Sequence, residues 1–229
     1  MLIPAIGVYT IVLGTLSLAS SIFDARGFFA HWCARTWARL ILWTTGVSVK
    51  VEGLEHVQPH GSYVFVSNHQ SHYDTAVLFA TLPHQLRIIA KESLGRFPFV
   101  GWHLRRTGHI LVDRRRPDRT AIFVWAEGLL SHGLSLIVYP EGTRSPNGAV
   151  QRFKPGSFQI ALQAGLPVVP ISISGTRRIM RKGAFEARPG AVRLVLHPPI
   201  DTRGLSEADP REFGERVRQI IAPAVESPA

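Results

Sequence analysis

A chain of 229 residues with 45% hydrophobic content is long enough for one full core, so a single catalytic or binding domain is the default. Its 26 basic and 16 acidic residues give a formal charge of +10, which favours polyanions: nucleic acid, anionic lipid headgroups or phosphorylated substrates. A single cysteine, Cys33, excludes an internal disulfide and any multi-cysteine zinc site.

The first segment, Leu2 to Phe23, runs 22 residues without a charge. About 20 apolar residues at a helical rise suffice to cross a hydrocarbon core, so this reads as a membrane segment that either spans or re-enters. The first basic residue, Arg26, lies beyond the apolar run, which argues against a cleaved signal peptide. From Phe28 to Trp43, helical spacing puts Phe29, Cys33, Trp37, Leu40 and Ile41 on one side and Arg35 and Arg39 on the other. Trp32, Trp37 and Trp43 suit the headgroup level, which predicts an interfacial helix; an ordinary core helix is the competing reading. Residues 1–46 are therefore expected to anchor to a membrane, and 47–229 to form the catalytic domain.

Beyond residue 46, short β-branched runs predict strands at Ser48–Val51, Tyr63–Ser67, Leu86–Ala90, His109–Val112, Leu134–Tyr139, Val168–Ser174 and Val192–His197. Between and after them, Tyr73–Leu82, Phe97–Arg106, Asp118–Ser131, Ser157–Ala164 and Glu207–Val225 predict helices. The alternation is that of an α/β fold with a mixed, largely parallel sheet flanked by helices. Several strands are nearly all apolar, as strands covered on both faces are. Pro170 cannot donate to a ladder, which points to an edge or a strand start.

In such sheets chemistry collects in the loops past the carboxyl ends of strands. After Tyr63–Ser67 comes Asn68-His69-Gln70-Ser71-His72-Tyr73-Asp74. In a continuous helix, residues five apart point away from each other, but a turn before the helix brings His69 to Asp74. Asp74 then accepts from one imidazole nitrogen and the other faces a substrate hydroxyl. With no serine completing a triad, the substrate's own hydroxyl is the nucleophile. A metal site at His69, His72 and Asp74 lacks supporting spacing, and a capping Asp74 beside an ordinary loop histidine is the plain alternative.

A second cluster, Arg114 with Arg115 and Arg116, follows Gly108–Asp113 and suits phosphate, because the guanidinium fork donates two parallel hydrogen bonds. A third run, Tyr139-Pro140-Glu141-Gly142-Thr143-Arg144-Ser145, follows an apolar strand. Gly142 lets backbone amides approach an anion, Thr143 and Arg144 add a hydroxyl and a guanidinium, and Glu141 is expected to fix an arginine or accept from a substrate hydroxyl. Lys154 adds a cation before a helix start. Arg177, Arg178, Arg181, Lys182 and Arg188 form a basic loop that meets lipid headgroups or carrier phosphates, or is merely solvated.

Asn68–Asp74 resembles the His-x4-Asp signature of the glycerolipid acyltransferases, the group containing 1-acylglycerol-3-phosphate acyltransferase. Arg114 after Gly108–Asp113, Pro140–Arg144 and Val169-Pro170-Ile171 look like that family's second, third and fourth blocks, in the same order. The resemblance implies an αβ domain held to the membrane by an amino-terminal helical pair, with no cofactor or metal. Membrane phospholipids, lysophosphatidic acid and an acyl-CoA or acyl carrier protein thioester are the implied partners, and phosphatidic acid is the implied product. By the same matching His69 is the general base, Asp74 its orienting partner, and Lys91, Arg114, Glu141, Gly142, Thr143 and Arg144 bind substrate. Glycerol 3-phosphate, another lysophospholipid or a lyso-ornithine lipid are alternative acceptors. A basic membrane-binding protein without catalysis is the non-enzyme alternative. No nucleic-acid partner is expected, since Arg114–Arg116 has no aromatic neighbour for stacking. The catalytic domain is expected on the cytoplasmic face, where basic residues flanking membrane segments collect.

Overall fold

The computed structural model describes residues 2–24, 26–97, 100–113, 119–184, 186–205 and 208–225. The chain opens with a helical hairpin, α1 (Leu2–Ser20) and α2 (Phe28–Thr44). The uncharged run thus folds as a 19-residue helix and a turn, and among the described residues no helix is long and apolar enough to cross a membrane. Asp24 Oδ2 accepts the Phe29 amide at 2.6 Å, which satisfies one free donor at the start of α2. Trp37 Nε1 donates to Thr10 Oγ1 at 2.8 Å, joining the two helices.

The remaining elements are β1 (Val47–Glu52), β2 (Val64–Ser67), α3 (Tyr73–Thr81), β3 (Leu86–Lys91), α4 (Val100–Arg106), β4 (Ile110–Val112), α5 (Arg119–Ser131), β5 (Ser135–Val138), α6 (Gly156–Ala164), β6 (Val168–Ser174), α7 (Thr176–Ile179), β7 (Gly190–Leu196) and α8 (Pro210–Ile221). Among the described residues seven strands form one sheet in the order β1-β7-β6-β2-β5-β3-β4, with every pairing parallel except β6 with β7.

The sheet separates two cores, and strand alternation decides which residue serves which. Phe65 and Ile137 face Ala38, Leu42 and Leu78, whereas Val64, Val66, Leu136 and Val138 face Phe158, Phe213 and Val217. Both β2 and β5 are buried at every position, so they read as apolar runs. Fully burying one such side chain stabilises by about 1.5–3 kcal/mol. Helix α8 begins where Asp209 accepts the Arg211 amide at 2.8 Å with Pro210 in its first turn. It packs closely because of Gly214: a Cβ there would lie 2.7 Å from the Phe158 ring.

Two expectations change. Pro170 is neither at an edge nor at a strand start but inside β6, which lies between β7 and β2. Its carbonyl accepts from His197 on the β7 side, so its missing N–H faces the same way. There the ladder slips by one residue between the Ile171–Leu196 pair and the isolated Val168–Ile200 pair, and such a bulge tolerates proline. Arg35 and Arg39 are not a purely solvated polar face: Arg35 is half-buried, and Arg39, though exposed, is tied to the protein. Arg35 donates to the carbonyls of Leu82 and His84, and Arg39 to that of Ala80, so both satisfy free carbonyls at and beyond the end of α3. Besides Arg39, the surface that α2 leaves exposed is aromatic: Phe28, Phe29, Trp32 and Trp43, with Phe23 91% exposed in the preceding turn.

Candidate functional site

Because β6, β2, β5, β3 and β4 run the same way, their carboxyl ends share one edge. Strand β2 leaves that edge through Asn68, whose amide donates to Ile173 O at 2.9 Å and accepts from Ile173 N at 2.8 Å. Tied to β6 in this way, the chain turns sharply, and α3 begins five residues after Asn68. His69 Nδ1 and Asp74 Oδ2 meet at 2.8 Å.

Asp74 is fully buried, and each of its partners can donate. Oδ2 also accepts from the amides of Gln70 at 2.7 Å and Ser71 at 2.8 Å, and Oδ1 from Thr176 Oγ1 at 2.5 Å. With Nδ1–H committed to this carboxylate, Nε2 keeps its lone pair free for a proton. The turn is fixed from outside as well, by Gln70 Nε2 on Gly148 O at 2.7 Å and Ser71 Oγ on Met180 O at 2.8 Å.

The loop after β5 wraps the histidine. Glu141 Oε1 accepts the His69 amide at 2.7 Å, and the Ser145 amide donates to His69 O at 2.7 Å. Tyr139 stacks on the imidazole with ring centres 4.2 Å apart, and its hydroxyl shares a 3.1 Å hydrogen bond with Thr75. Burial, with Asp74 nearby, raises the Tyr139 phenol pKa. The carboxyl of Glu141 is pushed up to about 7, chiefly by burial and against its two amide hydrogen bonds. His72 is lowered, first by burial and then by the Arg144 guanidinium.

Glu141 neither fixes an arginine nor faces solvent: its second oxygen accepts the Gln151 amide at 3.2 Å, and the residue is buried. Gly142 occupies the left-handed region at φ 71°, with its amide on Tyr139 O in a tight turn. Thr143 is exposed and accepts from Lys182 Nζ at 3.1 Å, and that ammonium also bonds Arg144 O at 3.2 Å. Lys91 stands exposed at the carboxyl end of β3, on the same edge. Arg114, with Arg115 and Arg116, lies outside the described residues. The sequence reading missed Thr176, although a polar residue just past β6 obeys the rule that found the others. It also missed the Tyr139 stack and the Lys182 bridge.

An apolar cavity of about 400 Å³ opens beside the pair. It lies between the hairpin and α3, touching His72 and Thr75 near the dyad and Leu13, Trp37, Phe79 and Leu104 elsewhere. Among the described residues no group of three His, Cys, Asp or Glu side chains is placed to hold a metal ion.

This geometry has relatives. The chain is 35% identical over 166 residues to a 1-acyl-sn-glycerol-3-phosphate acyltransferase of Limnanthes douglasii, covering 71% of this chain and 58% of that protein. It is 36% identical over 176 residues to 1-acyl-sn-glycerol-3-phosphate acyltransferase alpha of Homo sapiens, covering 76% and 62%. The chain thus spans less than two thirds of the length of these curated relatives. The crystal structure of PlsC, the 1-acyl-sn-glycerophosphate acyltransferase of Thermotoga maritima, superposes with a TM-score of 0.76 at 28% identity, covering 96% of this chain and 92% of that one. A family model described as Acyltransferase matches residues 48–174, more than half of the chain, and the chain therefore belongs to the acyltransferase family.

Proposed function

We propose that the protein transfers a fatty acyl group from an acyl-CoA or acyl carrier protein thioester to the free hydroxyl of 1-acylglycerol 3-phosphate, giving phosphatidic acid. The observation that carries this reading is the His69–Asp74 pair, held at 2.8 Å close to an apolar cavity that His72 and Thr75 line. The names of the relatives and the likeness to PlsC support the same acceptor.

In this mechanism His69 Nε2 takes the proton as the acceptor oxygen attacks the thioester carbonyl. Asp74 holds the ring in the required tautomer and stabilises the imidazolium that forms. The thiolate then leaves, taking the bonding pair, and the proton on His69 neutralises it or is lost to water. The acyl chain of the donor lies in the cavity beneath the hairpin, where its burial resembles that of any apolar chain. Arg144, Thr143, the Gly142 turn and Arg114 bind the acceptor phosphate, with Lys91 a further cation on that edge. The exposed Phe23, Trp32 and Trp43 rest in the headgroup layer, with the site held on the cytoplasmic leaflet.

The test is purified full-length protein with labelled acyl-CoA and acyl carrier protein thioesters and a panel of acceptors, followed by product identification. Phosphatidic acid formed in preference to other products is expected. Faster acylation of glycerol 3-phosphate or of a larger-headgroup lysolipid would reassign the acceptor, and no transfer to any acceptor would overturn the reading.

A further inference from the structure

The proposed acceptor has two parts to accommodate, a phosphate and a fatty chain. The cavity beneath the hairpin serves the donor, but it has a counterpart. Consecutive residues Ile88 and Ile89 of β3 line two different cavities, and successive strand residues point to opposite faces. The second, about 510 Å³, therefore lies on the face of the sheet covered by α5 and α6. Its walls include Ile89, Val112, Phe123, Val138 and Ile160.

Tyr139, Gly142 and Lys154 border the same space. A Cβ on Gly142 would lie 2.8 Å from Lys154 Nζ, so that ammonium sits over the Gly142 turn. Among the described residues it has no ion-pair partner. Tyr139 separates the two cavities: its ring stacks on His69, and its hydroxyl meets Thr75, which lines the first. An unpaired cation beside an apolar cavity matches an amphiphile with one anionic end and one chain.

We propose that this second cavity receives the fatty chain of the lysolipid acceptor, with the acceptor phosphate at Lys154 and the Gly142 turn. Donor and acceptor chains then lie on opposite faces of the sheet, with Tyr139 between them. The inference rests on the acceptor proposed above. Gln159 and Gln163, which also line the cavity, would suit the amides of a donor's thioester arm, and the test separates the two occupants.

Gly156 lines the cavity, has no positive φ, and a Cβ added there meets nothing within 4 Å. Gly156→Leu therefore adds bulk without backbone strain. In a His69→Ala background, binding of monomeric palmitoyl lysophosphatidate should weaken about tenfold or more, as expected when several methylenes lose their burial, while binding of hexanoyl lysophosphatidate and of palmitoyl-CoA is unchanged. In the active enzyme KM should rise for the palmitoyl acceptor alone. With the wild-type protein, a lysophosphatidate carrying a photoreactive group at its chain end should label Phe123 or Ile160 and not Phe79. This readout stands even if Gly156→Leu folds poorly. Labelling of Phe79, equal binding of long and short acceptors, or a rise in donor KM would each overturn the proposal, the last in favour of the thioester arm. Chain-dependent binding without acyl transfer would instead overturn the enzymatic reading and leave the chain site standing.

Discussion

Glu141 and His69 are joined through the backbone: the carboxylate after β5 accepts the amide of the histidine after β2 at 2.7 Å. With the Ser145 amide on His69 O, one loop takes both main-chain polar groups of that residue. We therefore propose Glu141 as a positioning residue for the imidazole. Glu141→Ala leaves two half-buried amides without their acceptor, and Glu141→Gln presents an N–H group to one of them. Losing a buried partner is worth about 1–3 kcal/mol, so kcat should fall about tenfold or more, with KM for either substrate little changed. An increase in acceptor KM at normal kcat would make Glu141 a substrate contact.

His69→Ala should lower kcat by about 10²–10⁴-fold in a protein that still melts cooperatively. Asp74→Asn should lose less, because Thr176 and two backbone amides still hold the loop. Near-normal turnover of His69→Ala would remove the general base from the mechanism.

Replacing Arg144 or Arg114 should raise KM for a phosphate-bearing acceptor far more than for the donor thioester. Lysine should restore little, since it lacks the bidentate fork. Parallel losses toward both substrates would assign these arginines to structure.

Deleting the hairpin is a poor test of membrane contact, because Ala38 and Leu42 belong to the core and Arg35 and Arg39 bond the end of α3. Changing Phe23, Trp32 and Trp43 together to serine removes exposed apolar area and leaves those contacts in place. Sedimentation with vesicles containing anionic lipid should fall several-fold while the melting temperature holds. Undiminished binding would shift the contact to the basic loop from Arg177 to Arg188.

Acid should destabilise this fold through three imidazoles, those of His31 and His109, which are buried, and of His103, which is half-buried. Burial, then the charges of Arg87, Arg35 and His103, lowers His31 to about 3; burial, then Arg87, lowers His103 to about 4; and His109 is held well below its ordinary value, chiefly by burial. Each binds its proton in the unfolded chain near pH 6.5 but not in the folded one. Their stabilisation is complete above that pH and lost as pH falls from about 6.5 towards 4. His31→Phe removes one such site, so urea unfolding between pH 7.5 and 5 should show a shallower loss than wild type. Identical slopes would mean that His31 is protonated in the native protein.

The strands were legible because a strand covered on both faces must be apolar throughout, and β2, β5 and β6 are buried at every position. The His69–Asp74 contact was legible because a turn is the only local geometry that lets residues five apart meet. Longer-range partners were not. Thr176 reaches Asp74 from 102 residues away, and periodicity gave a face for Arg35 and Arg39 without revealing that the end of α3 lies against it. Pro170 misled because the bulge that tolerates it depends on the register with β7. Helix α7, four residues long, is shorter than any window over which periodicity is measurable.

Arg87 on β3 is almost completely buried, with Nη1 on Leu86 O at 2.9 Å and Nη2 on Arg26 O at 2.5 Å and Gly27 O at 3.3 Å. Gly27 admits that guanidinium because a Cβ there would stand 3.1 Å from Nη2. One strand of the sheet therefore holds the bend between α1 and α2 directly. Through these bonds Arg87 ties the sheet to the bend of the hairpin, so in the membrane-bound state proposed above the height of His69 over the surface on which Trp32 and Trp43 rest is set by the fold. On that proposal a lipid rises to that height to react, and the depth at which a hydroxyl sits in its bilayer becomes a selection criterion in its own right.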